Sequence, residues 1–237
     1  SGRRGVMPQD WARLVRQLSG LALPAIFAIT FHEAAHGFVA YRRGDDTAWR
    51  MGRVSFNPLR HIDPFGTIIL PTMLFLFSHG FFFGYAKPVP ITYDKLRRPR
   101  SDMVWVALAG PATNIALAIV SLLLFYLVPV VPQVARLWFA DNLAASVFFN
   151  VILAVFNMIP LPPLDGGRVA VGLLPDALAL PLARTERYGI LILLALLILL
   201  PMLGERLGLD LNIVAHLMNR PVNWILDLIQ WATGITL

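Results

Sequence analysis

Several stretches of this chain stay predominantly apolar for about 18 residues or more, the length a helix needs to cross a hydrocarbon core about 30 Å thick. Inside a bilayer a backbone N–H or C=O finds no water to bond, so stretches of this kind have to form helices. Composition agrees: 57% of the 237 residues are hydrophobic, only 14% are charged, and the mean hydropathy is +0.65. Ordinary soluble domains lie well below that apolar content. The chain reads as a polytopic, integral membrane protein, all-α in its spans.

The formal net charge is +6, but the basic residues do not form a stripe suited to nucleic acid. Arg42, Arg43, Arg50, Arg53 and Arg60 follow the first apolar segment, and Lys87, Lys95, Arg97, Arg98 and Arg100 precede the third. Clusters placed in this way mark cytoplasmic loops facing an anionic leaflet. With no cysteine in the chain, thiolate sites and disulfides are excluded, and any metal must be held by nitrogen and oxygen. The opening "SGRRGV" reads as a tag remnant with Met7 as the native start. Residues 1–10 are expected to be a disordered lead, and 11–237 a single membrane-embedded domain.

Helices are expected over about residues 11–43, 101–128, 141–160 and 186–203, with 211–236 either an interfacial amphipathic helix or a kinked crossing. Residues 50–58, "RMGRVSFNP", alternate enough for a short strand, and "GYAKPVPI" (84–91) suits a second, confined to an edge by its prolines. The helix over 141–160 ends in "NMIPLPPLDGGRV", whose prolines and glycines forbid an unbroken helix. Gly110 and Ala118, in "ALAGPATNIALAI", would allow close contact with a neighbouring helix.

The first apolar run contains "FHEAAHG". His32 and His36 are four residues apart, so on a helix both rings lie on one face and can be aimed at a single ion. Glu33, beside the first histidine, can reach a water bound to that ion and take its proton. The chain has only three glutamates, Glu33, Glu186 and Glu205. Placing an acid within a crossing helix costs about 2.5–3.5 kcal/mol even on a lenient insertion scale, so Glu33 needs a partner or a task. A catalytic zinc takes three protein ligands and keeps one position open. His61, His79 and His216 read as interfacial or gap-filling. Asp165, flanked by Gly166 and Gly167 in the helix break, is either the third ligand or a helix cap at the membrane surface.

"FHEAAHG" followed by "NMIPLPPLDGG" resembles the site-2 protease family of intramembrane zinc metalloproteases, in its compact bacterial and archaeal form without a PDZ or CBS domain. The likeness extends to "GYAKPVP", similar to the family's strand near the active site, and to "AGPATN", similar to its third-helix motif. It implies one zinc per chain on His32, His36 and Asp165, with Glu33 as general base. It also implies substrate-positioning roles for Asn157, Asn114, Tyr85, Lys87 and Pro88.

Those ligands must lie at one depth, so the helices carrying His32 and preceding Asp165 must run the same way. The helix over 101–128 must then run against them, and residues 62–84 must return to the side they left, as a re-entrant segment. The architecture expected is thus three core transmembrane helices, a re-entrant segment, a short β element and C-terminal helices. The function expected is hydrolysis of peptide bonds in or next to transmembrane segments of membrane-protein substrates. An exposed strand edge at "GYAKPVP" would take up the unwound substrate. The site would face the cytoplasm from a prokaryotic inner membrane. Two rivals carry zinc or substrate without this chemistry: a membrane zinc-binding or transport protein, and a non-catalytic substrate-binding relative.

Overall fold

The computed structural model describes residues 8–61, 63 and 87–237, and every regular element among them is helical. Helix α1 spans Pro8–Arg43 and α2 is a single turn, Thr47–Arg50. Next come α3 (Pro99–Leu123), α4 (Gln133–Asn157) and α5 (Asp165–Leu173). The chain closes with α6 (Asp176–Arg184), α7 (Gly189–Leu194), α8 (Leu200–Leu207) and α9 (Ile213–Thr233). Among the described residues four runs are long and apolar enough to cross a membrane: Ala22–Arg43, Pro99–Val130, Gln133–Asn157 and Asp176–Leu207.

Local chemistry sets the end of α1. Gly44 adopts φ +114°, its N–H donates to Tyr41 O at 3.1 Å and Asp45 N–H donates to Ala40 O at 2.9 Å. This pair of reversed bonds is the Schellman closure, which favours glycine because of the positive φ. Arg42 and Arg43 in the last turn complement the partial negative charge of the helix end.

Helices α1, α3 and α4 form the bundle that carries the site. Trp138 Nε1 of α4 donates to Ser19 Oγ near the start of the first crossing at 2.9 Å, whereas the residues after α4 reach the far end of that crossing, so α1 and α4 run parallel. His32 meets Asn114 and His36 meets Val106; rising numbers on α1 against falling numbers on α3 show that α3 runs antiparallel. Ala118 and Leu122 of α3, Val147 and Val151 of α4, and Val222 and Ile229 of α9 close a dry cluster. Helix α9 is thereby fixed to the bundle through one face, and Trp224 and Trp231 on its other side are exposed.

Three expectations need correction. Residues 50–58 form no strand: Arg50 ends α2, Gly52 turns the chain at φ +62°, and Asn57 caps a 3-10 turn, Pro58–Arg60, through Leu59 N–H at 3.1 Å. The left-handed glycine and the Asn-Pro turn override a weak alternation. Residues 87–92 carry no regular secondary structure before the 3-10 turn Tyr93–Lys95 and form no strand; residues 84–86 of the other expected strand lie outside the described residues. The last apolar run begins at Asp176 and passes through a 3-10 turn at Thr185–Tyr188 and a π turn at Ala195–Leu199, well before the expected start at 186.

The re-entrant segment, 62–84, lies outside the described residues except for Asp63. Its flanks meet: Lys87 N–H donates to His61 O at 2.9 Å. Arg97 N–H likewise donates to Arg43 O at 3.0 Å, bringing the end of α1 beside the approach to α3.

Candidate metal centre

The helical spacing of His32 and His36 places their rings 4.6 Å apart, edge to face, and both are buried. Each ring is oriented by its rear nitrogen. His32 Nδ1 lies 2.6 Å from Asn114 Oδ1 and His36 Nδ1 lies 2.7 Å from Val106 O. Both partners are oxygen acceptors, so each Nδ1 carries a hydrogen and each Nε2 faces inward, where a neutral ring offers its lone pair.

The two Nε2 atoms are 3.0 Å apart, and Asp165 Oδ2 lies 3.1 Å from the first and 3.3 Å from the second. Asp165 is buried, and its Oδ2 has no properly directed hydrogen bond. Three electron-rich atoms converging in a buried space repel one another unless a cation lies between them. Ligands about 2.0–2.2 Å from a tetrahedral zinc would be separated by about 3.3–3.6 Å, a few tenths of an ångström beyond the spacing here. The donor chemistry and the spacing both fit zinc, and these three residues are the group able to hold a metal among the described residues.

Glycines make the convergence possible. A Cβ at Gly110 would stand 2.5 Å from His32 Cε1 and 2.5 Å from His36 Nε2, so α3 passes directly against the inward-facing Nε2 edges of both rings only because that position lacks a side chain. Asp165 begins α5, folded back over the preceding turn. Cβ atoms at Gly166 and Gly167 would strike the backbone at Met158 and at Leu161–Pro162.

Behind His32 a polar chain crosses the bundle. Asn114, fully buried, donates through Nδ2 to Ala28 O at 3.1 Å and to Asn150 Oδ1 at 2.8 Å. Asn150 in turn donates to Ser146 O at 2.9 Å. With both amide hydrogens and its oxygen engaged, Asn114 supports a ring and is not open to a substrate. The sequence reading missed Asn150 altogether; a lone asparagine among apolar residues of a spanning helix was the available signal.

The other candidates are distributed differently. Glu33, half-buried, accepts from Val89 N–H at 2.8 Å through Oε2. Asn157 ends α4, and its amide donates to Leu153 O at 3.0 Å. Lys87 and Pro88 are exposed, and their carbonyls accept from Arg53 Nη2 at 2.8 and 3.3 Å. Tyr85 and His79 lie outside the described residues. His61 Nε2 donates to Ser55 O at 2.8 Å and His216 sits on Asp210 at 3.1 Å, so neither joins the cluster. The N–H groups of Lys87 and Val89 are both engaged and prolines 88 and 90 have none. Residues 87–90 therefore offer a substrate backbone no donor for strand addition.

The model of Peptidase family M50 matches residues 21–145 and 131–200. The chain belongs to this family, the site-2 protease family of zinc metalloproteases. Its M50 relatives include the Bacillus subtilis protein named "Putative zinc metalloprotease YwhC", 36% identical over 182 residues, which make up 75% of this chain and 80% of that one. The Mycolicibacterium smegmatis "Putative zinc metalloprotease Rip2" is 32% identical over 174 residues, 73% of this chain and 64% of that one. The Methanocaldococcus jannaschii "Putative zinc metalloprotease MJ0611" is 31% identical over 143 residues, 59% of this chain and 62% of that one. No solved structure matches the chain. The M50 match includes all three residues of the His/His/Asp cluster, and zinc is the metal of the family.

Proposed function

We propose that the chain is an intramembrane endopeptidase that hydrolyses peptide bonds in or beside transmembrane segments of membrane proteins, with His32, His36 and Asp165 holding one zinc. The observation that carries this reading is the buried convergence of two histidine Nε2 atoms and a carboxylate oxygen within a bundle of membrane-length helices. When bound, zinc supplies Lewis-acid polarisation of a carbonyl and lowers the pKa of a coordinated water to about 7.

The protein's own groups supply the rest. Asn114 and Val106 O fix the tautomers of the two rings. Glu33 takes the proton of the attacking water and delivers it to the leaving amine. A substrate helix has its amides bonded internally, so it must unwind before its carbonyl can approach the cluster. Asn157, at the end of α4, is assigned to hold the unwound segment. The basic loops around α2 and before α3 support a reading in which the site faces the cytoplasm from an inner membrane, with the N-terminus outside. Lipid and a transmembrane substrate are the partners this reading requires. A zinc carrier would need successive ligand groups along a path, and a single enclosed cluster stands among the described residues.

The test is a proteoliposome assay with a panel of single-span transmembrane peptides, comparing wild type with Glu33→Gln at matched zinc content. Wild type should cleave at least one peptide and the variant none. Cleavage by Glu33→Gln at the wild-type rate would remove Glu33 as the base.

A further inference from the structure

Glu33 is next to a ligand but is not one of the three converging donors, so something else must hold it in place. Its hydrogen-bond partner among the described residues comes from a segment 56 residues away: Val89 N–H donates to Glu33 Oε2 at 2.8 Å. The local sequence is "KPVPI". Pro88 and Pro90 have no N–H, and Lys87 N–H is committed to His61 O at 2.9 Å. Val89 thus carries the one donor between residues 88 and 90, and that donor is aimed at the glutamate.

The segment is built as a strap over one face of α1. Glu33 and Gly37 are four residues apart, one above the other on the helix. A Cβ at Gly37 would stand 3.0 Å from Val89 Cγ1 and 2.8 Å from Val54 Cγ2, so the missing side chain lets buried Val89 lie close against the helix. Both ends of the strap are tied down. Arg53 Nη2 donates to Lys87 O and Pro88 O at 2.8 and 3.3 Å. At the other end, Thr92 N–H donates to Asp45 Oδ2 at 2.6 Å, and Thr92 Oγ1 lies 3.0 Å from Thr47 Oγ1.

We infer that the Val89 N–H is a positioning group for the base: it holds Oε2, fixes the rotamer of a side chain with three rotatable bonds, and leaves Oε1 to take the proton. This rests on the reading of Glu33 as base. It gives the strap a purpose other than pairing with substrate. A base held within hydrogen-bond reach of its proton before substrate arrives avoids reorganisation during the reaction.

The test replaces the Val89 amide by an ester, using 2-hydroxyisovalerate at position 89, which removes the N–H and keeps the side chain. In chelator-treated, metal-free protein the ester should lower Tm, and the same ester in a Glu33→Ala background should not. In zinc-loaded protein kcat should fall at least tenfold, with KM and zinc content unchanged. Equal Tm losses in both backgrounds would overturn the contact. A kcat within twofold of wild type, while Glu33→Gln is inactive, would overturn the positioning role and leave the base intact. If Glu33→Gln stays active, the base reading falls and the positioning role falls with it, while the Tm comparison still decides the contact.

Discussion

Asn114 Oδ1 lies 2.6 Å from His32 Nδ1, and this contact decides which nitrogen of the ring faces Asp165. An asparagine on α3 therefore governs a donor on α1. Substituting Asn114→Ala leaves the ring hydrogen and Asn150 Oδ1 without their partner in a buried space. Loss of an outer partner of a metal-binding histidine weakens the site by about 10–100-fold. Competition with a zinc chelator should show that shift, with the helix content retained by circular dichroism.

The passage of α3 against the Nε2 edges of both rings predicts a steric effect at Gly110. Gly110→Ala would place a methyl 2.5 Å from atoms of both histidines, and neither ring can withdraw without giving up its rear hydrogen bond. Overpacking of this kind costs about 1–3 kcal/mol. The variant should show a lower Tm and a zinc content well below one per chain. A small-residue position that only eased helix contact would tolerate alanine.

Asp45 ties the end of α1 to the strap and is fully buried. Burial pushes its carboxyl up, but hydrogen bonds from Thr47 and Thr92 outweigh burial and hold it below the usual carboxylate range. Because its folded value lies below the unfolded value of about 3.9, its stabilisation is complete above about pH 4 and is lost as pH falls toward the folded value. Asp45→Asn should therefore unfold more easily at pH 7 by about 1–3 kcal/mol. The gap should narrow below about pH 4, measured by thermal melts of metal-free protein in detergent so that ligand protonation does not intervene.

The parts of the site written in local spacing were legible in the sequence. The four-residue interval of His32 and His36 specifies one helix face, and Gly166–Gly167 after the prolines marks a break able to turn Asp165 inward. The demand that three ligands share one depth also fixed the relative directions of α1, α3 and α4. What depends on distant packing was not legible. Asn114 looked open to substrate because nothing local shows that Ala28, His32 and Asn150 use all of its capacity. The strand expected over 50–58 failed on a weak alternation against Gly52 and Asn57–Pro58. The "GYAKPVP" edge suggested a substrate strand, whereas Val89 N–H lies against Glu33.

The central claim is that His32, His36 and Asp165 form one zinc site, and metal analysis of purified wild type, His32→Ala and Asp165→Ala tests it most directly. The account predicts one zinc per chain in wild type and little or none in either variant, with all three proteins folded. Full zinc occupancy in Asp165→Ala would contradict it.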